Sequence, residues 1–130
     1  MSNINSKTKL IGLLGYPLGH SISPVMQNAA FQNKGINNLY ISVEVKPEDL
    51  KTIVKAMPKM NFSGFNVTIP YKIDIIQYLD EIDSLAYAIG AVNTVSIKDG
   101  KMKGYNTDGK GFLRSLKEGL GSKVEGKNIF

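Results

Sequence analysis

Residues 62–72 read FSGFNVTIPYK, and this stretch determines which fold the sequence predicts. Apolar residues fill most of it and Pro70 closes it, which is typical of a buried strand that ends at a turn. Asn66 and Thr68 are two residues apart, so both side chains project to one face of that strand. A buried amide and hydroxyl are costly unless they form hydrogen bonds. The stretch therefore predicts a core strand that ends at a site for a polyhydroxylated ligand.

Strands and helices are predicted to alternate on both sides of this stretch. Strands are expected at 9–14, 39–45, 62–69, 91–97 and 101–105, and helices at 23–34, 47–57, 73–79, 82–89 and 108–119. Asp99-Gly100 is the strongest hairpin signal in the chain. The pattern predicts an α/β fold of three layers, α/β/α, with a mostly parallel sheet of about six strands that includes one antiparallel strand.

The composition excludes several classes of protein. The chain has no cysteine and only one histidine, so no disulfide and no metal site are predicted. The net charge of +5 rests on scattered lysines and a single arginine, Arg114, which predicts a solvated surface rather than a nucleic-acid partner. The longest apolar run, 10–18, is too short for the ~20 residues of a membrane span. We expect a cytoplasmic protein without a membrane partner.

Two serines precede the first predicted helix. Ser21 and Ser23 lie just before a helix that Ser23-Pro24 announces, where hydroxyls and free backbone amides together can bind an anion. A carboxylate is the expected ligand because it accepts several hydrogen bonds. The alternative is that Ser23 only caps the helix and that Ser21 is a turn residue.

Two further polar segments follow predicted strands and turns. GAVNT, residues 90–94, carries Asn93, and YNTDG, residues 105–109, carries Asp108. Asp108 either caps the last helix or stands beside Lys72 as half of an acid/base pair, in which each charge favours ionisation of the other. Lys72 in turn is either that proton carrier or an exposed lysine beside Asp74.

Taken together and in this order, the polar segments resemble the substrate-binding domain of the shikimate dehydrogenase family. The matching segments are GYPLGHSISP (15–24), GFNVTIPYK (64–72), GAVNT (90–94) and GYNTDG (104–109). The resemblance extends over about residues 10–130. It implies an enzyme that reversibly reduces 3-dehydroshikimate to shikimate, with NADPH as the hydride donor in the full-length enzyme.

The resemblance also implies roles for individual residues. Ser21 and Ser23 would hold the substrate carboxylate, and Lys72 with Asp108 would form the catalytic pair, with the lysine favoured for proton transfer. The ring hydroxyls would be bound by Asn66, Thr68, Asn93 and Asp108, with Thr107 beside them.

The family implies a domain boundary near the end of the chain. Residues 1–125 would be the substrate-binding domain, and residues 126–130 the first residues of a truncated NADP-binding domain. We therefore expect the chain alone to be inactive in hydride transfer, because no hydride donor can be positioned. An apolar surface around Ala86, Ile89, Phe112 and Leu116 would be left bare and would favour self-association.

Two other functions remain open from the sequence. A quinate/shikimate dehydrogenase differs only in substrate preference, although Asn66-Val67-Thr68 favours the shikimate-specific branch. A non-catalytic module that binds a hydroxylated ring carboxylate would need the same serines and amides. The paired Lys72 and Asp108 argue against that module, because pure binding gains little from a paired acid and base.

Overall fold

A computed structural model describes residues 4–120 and Gly126. Its core is a sheet of six strands: β1 (Lys9–Gly15), β2 (Asn38–Glu44), β3 (Phe62–Val67), β4 (Glu81–Ile82), β5 (Thr94–Lys98) and β6 (Lys101–Tyr105). The four α-helices are α1 (Ser23–Lys34), α2 (Leu50–Ala56), α3 (Ser84–Ile89) and α4 (Asp108–Leu120). Short 3-10 helices cover Pro47–Asp49, Met57–Lys59 and Asp74–Tyr78.

The strand order is β2-β1-β3-β5-β6-β4. Strand β1 is parallel to both β2 and β3, and β4 is parallel to β6. Only β5 runs against its neighbours, β3 and β6. The predicted mostly parallel sheet with one antiparallel strand is therefore confirmed.

Both faces of the sheet are covered, because consecutive strand residues point to opposite sides. Leu14 belongs to the larger core cluster, which includes Val54 of α2 and Ala86 of α3. Leu13 lies on the other side with Tyr40, against Phe31 of α1. Leu14 is fully buried, and such a side chain contributes about 1.5–3 kcal/mol relative to exposure. The helices thus form the two outer layers of the predicted three-layer fold.

The predicted hairpin is confirmed in its details. Asp99 and Gly100 both have positive φ, 52° and 76°, and Lys98 pairs with Lys101. Two consecutive residues of positive φ are what a tight two-residue turn between antiparallel strands requires.

The prediction for 82–89 was wrong at its start. Ile82 belongs to the two-residue strand β4, whose residues pair with Lys103 and Gly104 of β6. Helix α3 begins two residues later, where the carboxylate of Asp83 accepts a hydrogen bond from the Leu85 N–H at 3.1 Å. Strand β5 likewise begins at Thr94, three residues later than expected.

Helices α1 and α4 leave apolar side chains in solvent. No residue of α1 is fully buried, and Val25 of that helix is 76% exposed. On α4, Phe112 is 58% exposed. The predicted bare surface is wrong for Ala86, which is fully buried because it faces the sheet, whereas Ile89 is exposed and Leu116 half-buried.

Two further points concern the described residues. Over residues 4–120, no helix is both long and apolar enough to cross a membrane. The prediction for residues 126–130 lies outside the described residues, apart from Gly126.

Candidate active site

The carboxyl ends of β1 and β3 lie side by side. Leu14 pairs with Val67, and the N–H of Thr68 donates to the carbonyl of Leu14 at 2.9 Å. A Cβ on Gly15 would come within 2.5 Å of Cγ2 of Thr68, so glycine is needed for this close approach. The loops that follow the two strands therefore start at the same edge of the sheet, which is where open α/β sheets bind ligands.

The loop after β1 carries the two predicted serines, and both are half-buried. The Oγ of Ser21 accepts a hydrogen bond from the N–H of Ser23 at 3.3 Å. The expectation that Ser23 caps α1 was wrong, because Ser23 is the first residue of the helix and the N-cap position is Ile22, which forms no side-chain cap hydrogen bond. Within residues 4–120, the hydroxyl of Ser23 has no hydrogen-bond partner, so it is available to a ligand.

The loop after β3 carries Lys72, which pairs with Asp108 at the start of α4. Lys72 Nζ donates to Asp108 Oδ2 at 2.6 Å, and the side chains are 35% and 53% exposed. Of the two alternatives left open for Lys72, the geometry therefore favours the pair over an exposed lysine beside Asp74. Both groups are close enough to solvent for a substrate to reach them.

Asp108 does not cap α4. The cap is Asn106, whose Oδ1 accepts hydrogen bonds from the N–H groups of Asp108 at 3.0 Å and Gly109 at 3.4 Å. Asn106 is buried, and its Nδ2 donates to the carbonyl of Ala91 at 3.0 Å. Asn106 was not predicted as the cap, although asparagine just before a helix is a strong capping signal. Because Asn106 fills this role, the carboxylate of Asp108 is left to face Lys72.

Asn93 holds the other oxygen of that carboxylate. Its Nδ2 donates to Asp108 Oδ1 at 2.7 Å and to Thr107 Oγ1 at 2.8 Å. Its Oδ1 accepts from the Thr107 N–H and from the Thr94 hydroxyl, both at 3.0 Å. Asn93 is buried and fully hydrogen-bonded, so it fixes where the Asp108 side chain lies.

Asn66 is also engaged within the protein. Its Nδ2 donates to Thr94 Oγ1 at 3.1 Å and to the carbonyl of Asn93 at 3.4 Å, and its Oδ1 accepts from the hydroxyl of Tyr40 at 2.9 Å. Burial of the Tyr40 ring raises the pKa of its hydroxyl to about 12. By contrast, the half-buried hydroxyl of Thr68 has no partner among the described residues.

The predicted residues fall into two groups. Lys72, Asp108, Asn93, Thr107 and Asn66 belong to one hydrogen-bonded network, which also includes the unpredicted Tyr40 and Thr94. Ser21, Ser23 and Thr68 lie on the neighbouring loops, with no direct bond to that network in the described part of the chain. The first group offers a paired ammonium and carboxylate, and the second offers hydroxyls whose protons are not used in hydrogen bonds among the described residues. Such an arrangement suits proton transfer at an oxygen of a polyhydroxylated molecule.

Comparisons with known proteins show which family the chain resembles. The family described as "Shikimate dehydrogenase substrate binding domain" matches residues 13–95. A shikimate dehydrogenase (NADP(+)) of Methanocaldococcus jannaschii is 55% identical over 126 residues, which are 97% of this chain and 44% of that relative. The chain therefore spans less than half the length of this relative.

Two solved structures share the fold. A crystal structure of a shikimate dehydrogenase in complex with NADP+ has a TM-score of 0.90 and 55% identity, and covers 92% of this chain and 42% of its own. A shikimate 5-dehydrogenase from Listeria monocytogenes in complex with shikimate and NAD has a TM-score of 0.87 and 42% identity, with the same coverage of 92% and 42%.

Proposed function

The chain belongs to the shikimate dehydrogenase family, and from this we propose that residues 1–125 form the substrate-binding domain of an enzyme that reversibly reduces 3-dehydroshikimate to shikimate. The match to the Methanocaldococcus jannaschii relative covers 97% of this chain but only 44% of that relative. We therefore propose the activity for a longer protein, of which this domain is the substrate-binding half. The hydride donor in this proposal is NADPH.

One observation carries the proposal: the contact between Lys72 Nζ and Asp108 Oδ2 at 2.6 Å, with Asp108 Oδ1 held by Asn93. A structural salt bridge at the surface contributes little to stability and does not need a buried amide to orient it. An acid/base pair does need such orientation, because proton transfer requires hydrogen-bond distance to the reacting oxygen.

The carboxylate and the other hydroxyls of the ring acid can be assigned to hydroxyl and amide side chains of the site. We assign the substrate carboxylate to Ser21 and Ser23, at the amino end of α1, where the helix dipole favours an anion. We assign ring hydroxyls to Asn66, Thr68, Asn93 and Asp108, with Thr107 beside them. The two amides already bond to protein groups, so a ring hydroxyl would share or exchange those bonds.

In the proposed reaction the carbonyl oxygen of 3-dehydroshikimate takes a proton as the carbon takes a hydride. Lys72 gives that proton from its ammonium group and recovers it from solvent, to which its side chain is 35% exposed. Asp108 holds Lys72 beside the reacting oxygen and accepts a hydrogen bond from the neighbouring ring hydroxyl. In the reverse direction, the neutral amine of Lys72 accepts the proton from the shikimate hydroxyl.

NADPH supplies the hydride when it is bound. The residues described here do not fit it as a resident group: the donors at the sheet edge suit a small acid, and the 130-residue sequence contains no G-x-G-x-x-G turn. We therefore assign the nucleotide to residues other than these. We also propose that the protein is cytoplasmic, which the absence of cysteine in the sequence suits.

The experiment that tests the proposal is a titration of the 15N-labelled protein with shikimate, followed by NMR. Shifts should cluster at Ser21, Ser23, Lys72, Asn93 and Asp108, and the hairpin at Asp99 and Gly100 should stay unchanged as an internal control. Shifts confined to other surfaces, or none at millimolar shikimate, would refute the proposal.

Substrate preference separates the proposed enzyme from a quinate/shikimate dehydrogenase. Quinate lacks the ring double bond of shikimate but keeps the carboxylate, so both ligands can reach the serines. We expect shikimate to raise the melting temperature of the protein more than quinate does at equal concentration. Equal shifts would remove the preference for the shikimate-specific branch.

We also propose that the protein self-associates through the apolar side of α4. Phe112 is 58% and Leu113 44% exposed, and the neighbouring Ile89 is 47% exposed. Sedimentation velocity should show an association that rises with concentration and is lost in Phe112→Asp. A wild-type protein that stays monomeric at high concentration would contradict this.

A further inference from the structure

A single series of hydrogen bonds runs from the core to the acid/base pair. Tyr40 donates to Oδ1 of Asn66 at 2.9 Å, and Nδ2 of Asn66 donates to Oγ1 of Thr94 at 3.1 Å. The Thr94 hydroxyl donates to Oδ1 of Asn93 at 3.0 Å, and Nδ2 of Asn93 donates to Oδ1 of Asp108 at 2.7 Å. Each member after Tyr40 accepts from the preceding one, and every bond points toward the carboxylate.

The direction of the hydrogen bonds is determined at both the NH2 group and the Oδ1 of the Asn93 side chain. An ionised carboxylate can only accept a hydrogen bond, so Asn93 must present its NH2 group to Asp108. A backbone N–H can only donate, so Asn93 must present its Oδ1 to the N–H of Thr107, which lies 3.0 Å away. The two requirements agree, and the orientation of this amide does not depend on an arbitrary choice between oxygen and nitrogen.

The donor and acceptor roles of the preceding members, from Thr94 back to Tyr40, follow from this orientation. Oδ1 of Asn93 faces the Thr94 hydroxyl, which must therefore use its proton there and can only accept from Asn66. That places Oδ1 of Asn66 toward Tyr40, whose hydroxyl has a proton to give.

Tyr40 is a fixed starting point for the series. Its side chain is 3% exposed and packs in the cluster with Leu13. Its backbone is held as well, because Asn28 of α1 donates to its carbonyl and accepts from its N–H, both at 2.8 Å. The hydroxyl of Tyr40 is therefore positioned by packing on one side and by α1 on the other.

We infer that Tyr40 and Thr94 are positioning residues for the catalytic pair: through Asn66 and Asn93 they hold the Asp108 carboxylate so that Oδ2 is presented to Lys72. Neither residue needs to touch the ligand. The inference rests on the proposed function in one respect, that the ligand bound beside Asp108 is shikimate. Bonds between polar groups in a partly buried series strengthen one another, so loss at one member is felt at the next.

The test compares four variants of the 130-residue protein. Thr94→Val keeps the shape of the side chain but removes the hydroxyl, and Thr94→Ser restores a hydroxyl. Tyr40→Phe keeps the ring in the core and removes only the first donor. Tyr78→Phe is the matched control, because the hydroxyl of this half-buried tyrosine has no partner in residues 4–120.

Two quantities are measured for each variant: the affinity for shikimate by NMR titration and the chemical shifts of the Asn93 side-chain amide in the free protein. Thr94→Val and Tyr40→Phe should each weaken shikimate binding about three- to tenfold, the range expected for one lost hydrogen bond. Both should also shift the Asn93 amide signals, whereas Thr94→Ser and Tyr78→Phe should resemble the wild type.

The outcomes separate the two proposals. If Thr94→Val and Tyr40→Phe leave the Asn93 amide signals unchanged, or if they lower thermal stability without affecting binding, the residues are merely structural and the inference is wrong. If Thr94→Val does not fold, Tyr40→Phe decides the question alone. If the wild-type protein fails to bind shikimate, the proposed function falls, while the Asn93 signals still test the hydrogen-bonded series.

Discussion

Lys72 donates through Nζ to Oδ2 of Asp108 at 2.6 Å, across a separation of 36 positions in the sequence. One residue follows β3 and the other begins α4, so the contact joins two elements that are far apart in the sequence. The pair is partly open to solvent, whereas Asn93, which holds the second carboxylate oxygen, is buried. Because of this difference in burial, we expect the buried Asn93 to contribute more to stability than the partly exposed Lys72 does.

Replacing Lys72 by Met should change the free energy of unfolding by less than about 1 kcal/mol, because exposed ion pairs contribute little. Replacing Asn93 by Ala should cost about 1–3 kcal/mol, since Asp108 and Thr107 both lose a buried partner. Urea denaturation measures both values. A larger loss for Lys72→Met than for Asn93→Ala would contradict this division of roles.

Asn106→Ala should destabilise the protein by about 1 kcal/mol or more, because the first amides of α4 lose their cap. The control is Asn33→Ala on α1, an exposed asparagine without a side-chain partner in residues 4–120. Circular dichroism during urea unfolding compares the two. Equal stability of both variants would show that α4 does not depend on this cap.

Stability should fall as the pH rises from about 10 to about 12. Burial raises the pKa of Tyr40 from 10.0 to about 12, so in this range the unfolded chain loses the proton that the folded protein keeps. The stability present below pH 10 is then lost by an amount on the order of 2 kcal/mol. Burial also raises the pKa of Tyr71, which adds to the effect in the same direction.

Tyr40→Phe should flatten this alkaline fall, measured as the midpoint of urea unfolding between pH 9 and pH 12. Tyr87→Phe serves as the comparison, since Tyr87 is exposed. A fall that remains as steep in Tyr40→Phe as in Tyr87→Phe would exclude Tyr40 as its cause.

The 130-residue polypeptide should leave NADPH unoxidised in the presence of 3-dehydroshikimate. The proposed site takes a small acid and the sequence contains no G-x-G-x-x-G pattern, so we expect nothing among the described residues to position the hydride donor. Absorbance at the NADPH band measures the reaction, with the shikimate dehydrogenase of Methanocaldococcus jannaschii as a positive control. Turnover at a comparable rate would show that the prediction is wrong.

Much of the fold was predictable because it depends on local patterns. Alternation and turn residues gave β1, β2 and the hairpin at Asp99-Gly100 nearly to the residue, and Pro24 and Gly35 gave the ends of α1, although Ser23 is not its cap. Strand β4 was missed because a two-residue strand has no pattern of its own: it exists only where Glu81 and Ile82 meet β6. A Cβ on Gly104 would come within 2.6 Å of Leu79, a close approach that only the folded chain reveals.

Some residues of the candidate site were likewise predictable from the sequence, and others were not. Motif residues such as Lys72, Asp108 and Asn93 were identified in the sequence, because polar groups between apolar strands stand out. Tyr40 and Thr94 were not assigned, since each lies in a strand whose residue types suit the core equally well. Their hydrogen bonds depend on which side chains the strand register brings together. The roles of the identified residues in binding and catalysis stay predictions until shikimate is tested.

The central claim is that Lys72 and Asp108 act together on a hydroxylated ring acid. A double-mutant cycle of shikimate binding, measured calorimetrically on the wild type, Lys72→Met, Asp108→Asn and the double variant, tests it most directly. Each single change should weaken binding at least about tenfold, and the double variant should be little weaker than either single one, as for residues that act as a unit. Wild-type affinity in both single variants, or fully additive losses, would contradict the claim.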